Sequence, residues 1–357
     1  MKYAEIIEKK VEEILDKKKN GKDVLVLGIE SSCDETSIAV IKNGNEVLSN
    51  EIASQIDIHT RFGGVVPEVA SRNHILCINN VLQKSLQTAG VCLDDIDAIA
   101  VTYGAGLSGA LMVGVNFAKG LAYASKKPLV AVNHIKGHIS ANYIQNKDLK
   151  PPFICLVVSG GHTAILRVDD YLHHTFIGGT LDDAIGEAFD KVARVVGLGY
   201  PGGPKIDKEA KNGSYNLHFT KKSDLDGTYN VSYSGLKTAV INYLHKEEQA
   251  QRPINVADVA CSFEHEAVDM LVEKAVRAAK EYGFKTVAMA GGVAANSYLR
   301  ETMQKKCEES GLDLTFPALV LCTDNGAMIA AEGYNNLMEK NNICYDLSVS
   351  PCPSLKL

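Results

Sequence analysis

No C-x-x-C pair occurs in this sequence, although nine cysteines are scattered through it at 33, 77, 92, 155, 261, 307, 322, 344 and 352. An odd number of dispersed thiols reads as reduced cysteines that mostly fill core space, which argues against a disulfide framework and against a zinc ribbon. Long apolar runs are also missing. The longest, such as FICLVV at 153–158, fall well short of the ~20 residues that a membrane span needs. Residues 1–22 carry Lys and Glu throughout and no apolar segment, so a secretory signal is not expected and a cytoplasmic location is. Positive charge is not in surplus either: 37 Lys and Arg face 43 Asp and Glu, for a net charge of −6. That balance excludes a global attraction for nucleic acid, so a polyanionic substrate must be met by a local patch or by a second protein. Lys205, Lys208, Lys211, Lys221 and Lys222 form one such patch, whose plainer reading is a solvated lysine face. Neither a Walker lysine motif nor a dinucleotide fingerprint is present, so the P-loop and Rossmann readings fail.

What the chain does hold is apolar material for more than one core: 357 residues, 46% of them hydrophobic and 22% charged, which points to two lobes. Ile6, Ile7, Val11, Ile14 and Leu15 recur at helical spacing among Lys and Glu, predicting a short amphipathic helix that ends at Asn20-Gly21. It packs either on the body of the protein or on a partner. VLVLGIE (24–30), the turn SSCDET and SIAVIKNG then read as strand, polar turn, strand. FICLVVSGG (153–161) followed by HTAILRVDD repeats the pattern, as an internal duplication would. Helices and further strands follow each hairpin, including DAIAVTYGAG (97–106) and FKTVAMAGG (284–292). Pro151-Pro152 marks the junction. The expected fold is α/β, with two lobes facing a cleft and ligands at the strand ends. The expected division is an extension over 1–23, a first lobe over 24–150 rejoined by the last helices (about 325–347), and a second lobe over 151–324.

Three small-residue turns follow strands: SSCDET, SGGH (159–162) and AGGVAAN (290–296). Glycine lets backbone amides approach a phosphate, and Asn296 is placed to cap the helix that follows Gly291-Gly292. GAGLSGALMVG (104–114) is read as close packing of a helix on its sheet, with Gly104 to Gly109 bordering the ligand as the alternative. Asp190, on a helix between glycine turns, and Asp207, shortly after Gly202-Gly203, are placed to accept hydrogen bonds from ribose hydroxyls. His134 and His138 stand at i and i+4, so a helix puts both imidazoles on one face. Two surface histidines are the plainer alternative. A zinc-protease helix needs Glu after its first His as general base, and here that residue is Ile135. Asp324 follows the apolar run ALVLC and is read as standing at a strand end, as a helix cap or as a further ligand. Two histidines and one carboxylate with open positions suit Fe(II) or Zn(II).

With these residues in place, the chain resembles the universal tRNA threonylcarbamoyladenosine transferase family in its bacterial form, from about Val24 to about Leu347. GIESSCDET, GGVVPEVASRNH (63–74), NHIKGHISAN, VSGGHT, DDAIGEAFDKVAR, YPGGP, SYSGLKT (232–238), MAGGVAAN and CTDNGAMIA stand in family order. The resemblance implies a two-lobed actin-like ATPase fold (ASKHA, RNase H-like) whose central cleft takes one divalent metal and an adenylate or ATP-type nucleotide. It puts His134, His138 and Asp324 on the metal, with Fe(2+) the first expectation and Zn(2+) the second. It maps substrate contacts onto Val157, Val158, Ser159, Gly160, Gly161, Asp190, Gly203, Asp207 and Asn296.

The activity implied is transfer of threonylcarbamoyl from L-threonylcarbamoyl-adenylate to the exocyclic amine of the adenosine 3′ to the anticodon, in tRNAs reading codons that begin with A. The partners implied are tRNA, a paralogous dimer partner (TsaB-like) and a small P-loop ATPase (TsaE-like), with no membrane. Chemistry agrees: the adenine amine is a weak nucleophile, so the acyl group must be activated, and a metal can polarise and orient it. Asp34 and Glu35, in the first hairpin's turn, are the candidates for general base. Two features depart from the family: Gly104-Ala105-Gly106 replaces Gly-Pro-Gly, and residues 1–22 precede the usual start. A non-catalytic scaffold subunit is the rival reading, against which both histidines count. A sugar kinase is the fold-level rival, and a metalloprotease lacks its base.

Overall fold

The computed structural model describes residues 3–219, 225 and 227–356; Lys221 and Lys222 of the lysine patch lie outside them. The chain divides into two compact units, Met1–Leu149 with Pro317–Leu357, and Lys150–Phe316. The first opens with α1 (Tyr3–Lys19), β1 (Leu25–Glu30), β2 (Glu35–Lys42), β3 (Glu46–Ser54), α2 (Ile56–Thr60) and α3 (Pro67–Ala89). It continues with β4 (Ala98–Gly104), α4 (Ser108–Ser125), β5 (Leu129–Asn133) and α5 (His134–Gln145). The second holds β6 (Phe153–Val158), β7 (Thr163–Val168), β8 (His174–Gly179), α6 (Ile185–Val195), α7 (Gly202–Ala210) and α8 (Ser234–Gln249). It closes with α9 (Val256–Tyr282), β9 (Thr286–Ala290), α10 (Ser297–Glu309) and β10 (Asp313–Thr315). The chain then returns to the first unit through α11 (Leu319–Cys322) and α12 (Gly326–Met338).

Each unit is built on a five-stranded sheet, in the orders β3-β2-β1-β4-β5 and β10-β9-β6-β7-β8. Reversing the second order shows one plan used twice. A central strand is antiparallel to its hairpin partner on one side and parallel to a later strand on the other, β1 to β2 and β4, β6 to β7 and β9. The two hairpins predicted as copies are therefore the openings of duplicate sheets.

Strand periodicity explains why the first sheet is covered on both faces. Val26, Ala39, Ala100 and Val132 turn to one side, against α12 and the buried Ile7, Val11 and Ile14 of α1. Leu27, Ile38, Ile99 and Leu129 turn to the other, with the apolar residues of α3 and α4. Alternate side chains of a strand point to opposite faces, so apolar residues at both parities give a strand buried twice over. The leading helix thus packs on the body of the first unit, and Lys17 adds a 2.7 Å ion pair to Asp97.

Two expectations need correction. The second unit ends at Phe316 rather than at 324, because Pro317 onward returns to the first unit. The apolar run before Asp324 is the short helix α11, not a strand, and it is Asn325 that caps α12, its side chain accepting from Met328 N at 3.0 Å.

One close approach seats α12. A Cβ on Gly28 would lie 2.2 Å from the Gly326 carbonyl and 2.5 Å from Ala330 N, so only glycine admits the helix start onto β1. Gly28→Ala is expected to cost about 1–3 kcal/mol through overpacking. Gly120→Ala, on the exposed side of α4 where a Cβ meets nothing within 4 Å, is expected to be neutral or to gain up to about 1 kcal/mol of helix propensity. Thermal melts of the two variants check this, and equal melting temperatures would contradict the packing argument.

Candidate metal centre and nucleotide-binding turns

The end of β5 and the start of α5 fix the two histidines. Asn133 caps α5, its side-chain oxygen accepting from Ile135 N at 2.9 Å and Lys136 N at 3.4 Å, which makes His134 the first helical residue. His138 follows one turn later on the same face, with ring centroids 4.6 Å apart and edge to face. Asp324 comes in from the segment before α12, its Oδ1 lying 3.4 Å from His134 Nε2 and 3.2 Å from His138 Nε2. Donor atoms of the three residues all lie within 4.8 Å of one another. A metal with bonds of about 2.0–2.2 Å holds neighbouring donors about 3.0–3.5 Å apart, so the set fits a single divalent ion. The spacing argument could not join Asp324 to the histidines; the fold does.

The sequence reading passed over Glu30. It ends β1, is wholly buried, and its Oε2 stands 3.0 Å from His134 Nδ1 and accepts from Thr102 Oγ1 at 2.6 Å. Ser32 Oγ is 3.1 Å from the same His134 nitrogen. With Nδ1 engaged, His134 is oriented to offer Nε2 outward, the arrangement by which a carboxylate orients and strengthens a ligating imidazole. A lone acid closing an otherwise apolar central strand was the available signal.

The charges are consistent with this. Burial works against ionisation of both partners, yet Asp324 and Glu30 raise His134 to about 9 and His134 holds Glu30 below the usual carboxylate range. Burial and the nearby His134 leave His138 below its ordinary value despite Asp324. Asp34 ends the turn after β1, and Glu35, expected in that turn, is instead the first residue of β2. Burial first, then Asp34 and Asp324, push Glu35 up to about 9, against a hydrogen bond from Ser54. Burial and the same acids drive the Cys33 thiol far up. In the metal-free protein, therefore, Glu35 carries a proton near neutral pH.

The expected substrate contacts all lie in the second unit. Val157 and Val158 end β6 and are wholly buried. Ser159–Gly161 form the turn, closed by Ser159 N donating to His162 O at 2.8 Å. Gly160, Gly161, Gly203 and Gly292 would each place a Cβ in open space, with nothing within 4 Å, which leaves their backbones approachable. Gly291 (φ 91°) lies so close to Val158 O that a Cβ would stand at 2.3 Å. Asp190 Oδ1 accepts from Gly202 N at 2.6 Å, joining α6 to the start of α7. Asp207 engages the Ser297 hydroxyl and amide. Asn296 caps α10 as expected, accepting from Leu299 N at 2.8 Å, while its amide donates to the buried Glu264 at 2.6 Å. The sequence reading did not single out Glu264.

Solved structures with the same architecture include full-length HypF in a phosphate- and nucleotide-bound form (TM-score 0.58, 15% identity, 88% of this chain and 46% of that one). Component A of (R)-2-hydroxyglutaryl-CoA dehydratase from Acidaminococcus fermentans is another (TM-score 0.54, 14% identity, 88% and 99%). At such identities the likeness shows the fold alone. With duplicate sheets and a histidine–carboxylate triad in the first unit, the chain falls in the class of actin-like ATPase folds. The family model of TsaD, tRNA N6-adenosine threonylcarbamoyltransferase, matches residues 46–331. Proteins carrying that name are 57% identical in Clostridium perfringens (93% of this chain, 98% of the relative) and 56% in Clostridium novyi (94% and 99%). The chain belongs to the tRNA N6-adenosine threonylcarbamoyltransferase family and is a transferase.

The charge arrangement sets a pH dependence. A His134 value raised from 6.5 to about 9 contributes stability to the metal-free fold that is complete below pH 6.5 and lost as pH climbs through 9. A divalent ion must displace that proton. Titration calorimetry with Co(II) at pH 7, in buffers of different ionisation enthalpy, is expected to report release of about one proton or more. The melting temperature gained on adding metal should grow from pH 6.5 to pH 9. Binding without proton release would contradict the assignment.

Proposed function

We propose that this chain moves the threonylcarbamoyl group of L-threonylcarbamoyl-adenylate to the exocyclic amine of the adenosine 3′-adjacent to the anticodon, in tRNAs reading codons that begin with A, releasing AMP. The observation that carries the reading is the convergence of His134, His138 and Asp324 in a chain that belongs to this transferase family. Those three residues are proposed to hold one divalent ion, ferrous iron first and zinc second, on the grounds of two imidazoles and one carboxylate with positions left open. When bound, the ion supplies Lewis-acid polarisation and a template for the activated acyl donor.

The remaining roles fall to the chain's own residues. Glu30 and Ser32 fix the tautomer and tilt of His134. Backbone amides at Gly160, Gly161, Gly203 and Gly291–Gly292 are proposed to receive the adenylate, where N–H groups favour negative charge on the departing phosphate. Asp190, Asp207 and Asn296 are the candidates for its ribose. Asp34 and Glu35 are the two candidates for the general base.

Among the described residues no helix is long and apolar enough to cross a membrane. The tRNA acceptor makes the cytoplasm the proposed location. A paralogous dimer partner and a small P-loop ATPase are proposed to act with the chain. Supporting a docking face, α3 exposes Ile75 and Leu76 (64% and 76%) and the neighbouring α4 exposes Met112 (52%).

Two experiments test this. With tRNA, threonylcarbamoyl-adenylate and the partner subunits, His134→Ala is expected to lower product, measured by mass spectrometry of digested nucleosides, by about 100-fold or more; wild-type turnover would defeat the metal's role. Leu76→Asp is expected to leave the melting temperature of the isolated chain within a few degrees. It should weaken association with the paralogous subunit about tenfold or more in sedimentation, and unchanged association would remove this face from the interface.

A further inference from the structure

We propose that Glu332 is a positioning residue for the metal centre: its buried carboxylate ties α5 to α12 and so sets where His134, His138 and Asp324 meet. The inference rests on the metal reading above and goes beyond it, since Glu332 touches none of the three ligands.

Both imidazoles ride on α5, and Asp324 immediately precedes the capping residue of α12. The relative register of these two helices therefore decides whether the donors converge. Apolar packing supplies contact without direction: at Gly137 of α5 a Cβ would stand 2.7 Å from the Ile329 side chain of α12, which brings the helices close but permits sliding. A hydrogen bond is directional. Ser140, one half-turn beyond His138, donates its hydroxyl to Glu332 Oε2 at 2.7 Å, joining residues 192 apart in sequence.

The other oxygen extends the tie. Glu332 Oε1 accepts from Asn336 Nδ2 at 2.7 Å, and Asn336 Oδ1 accepts from Asn341 Nδ2 at 3.0 Å and Asn342 Nδ2 at 2.9 Å. The Asn342 carbonyl in turn accepts from Ala131 N at 3.0 Å, on β5 just ahead of His134. One connected set of hydrogen bonds thus reaches α12, α5 and the strand that delivers α5. Ser140, Glu332 and Asn336 are all at most 1% exposed.

Burial pushes the Glu332 carboxyl up to about 7, against the Ser140 bond, the charge of Lys136 and the Asn336 bond. A carboxyl kept at that cost adds little to stability compared with an apolar side chain of similar volume. What a satisfied buried network does supply is a single allowed arrangement of its partners.

The test uses Co(II) as the probe, with its dissociation constant and visible absorption spectrum measured on the full chain well below each variant's melting temperature. Glu332→Leu, which removes both bonds in similar volume, is expected to weaken Co(II) binding about 10–100-fold and to alter the spectrum, the range seen when a group orienting a ligand is lost. Glu332→Gln, able to accept from Asn336 and donate to Ser140, is expected to restore affinity to within about threefold. Ser140→Ala provides a milder break if the leucine variant does not fold, and should weaken binding several-fold. A lowered melting temperature with unchanged dissociation constant and spectrum in both Glu332→Leu and Ser140→Ala overturns the positioning role while the metal centre stands. Failure of the wild-type chain itself to bind Co(II) would instead overturn the metal reading.

Discussion

Negative charge gathered at the end of one strand is the constraint on which the rest of this structure depends. Glu30 closes β1 without exposure, Asp34 follows in the turn, Glu35 opens β2, and Asp324 is brought against them from a distant part of the chain. In a medium of low polarity such a group persists only with matching positive charge. His134 supplies part of it by keeping its proton well into the alkaline range, and Glu35 evades the problem by staying neutral. A bound cation answers the same need more fully and frees the imidazole to act as a ligand. The close seating of α12 on Gly28 and the Asn133 cap of α5 are the local devices that bring the acids and imidazoles together.

Much of this was legible beforehand because it is local. Strand periodicity marked both hairpins, and the i, i+4 spacing of His134 and His138 set them on one helix face. The amphipathic pattern at the start of the chain found α1, and the Asn296 cap lay where the Gly-Gly turn suggested. What failed to show was long-range or depended on competition between neighbours. ALVLC has the composition of a strand, but so short a run is ambiguous between strand and helix, and Leu319–Cys322 forms a helical turn. Asp324 and Asn325 are both good caps, and Asn325 takes the role, which leaves the aspartate for other work. Glu30 is different: its place at the end of an apolar strand marks it, but its role shows only once its partners, Thr102 and His134, are known. Glu264 and Glu332 are alike in this, since each meets a partner far away in sequence.

The duplicate sheets put the same strand–turn–strand plan to opposite electrostatic uses. After β1 the turn is acidic and its serines are buried, Ser31 and Ser32 each at 1% exposure, so side chains dominate and the place suits a cation. After β6 the turn is Ser159-Gly160-Gly161, uncharged and open, so backbone amides dominate and the place suits an anion. Changing a handful of side chains at one topological position is enough to invert what it attracts, which is how a repeated scaffold acquires unlike sites without altering its strand order.

The discontinuity of the first unit has a consequence for biosynthesis. Its two imidazoles leave the ribosome early, but the aspartate that completes their ligand set and the glutamate that tethers their helix emerge only after the entire second unit has been made. A chain cut short just before Pro317 would keep both histidines and the whole of the second unit while lacking Asp324 and Glu332.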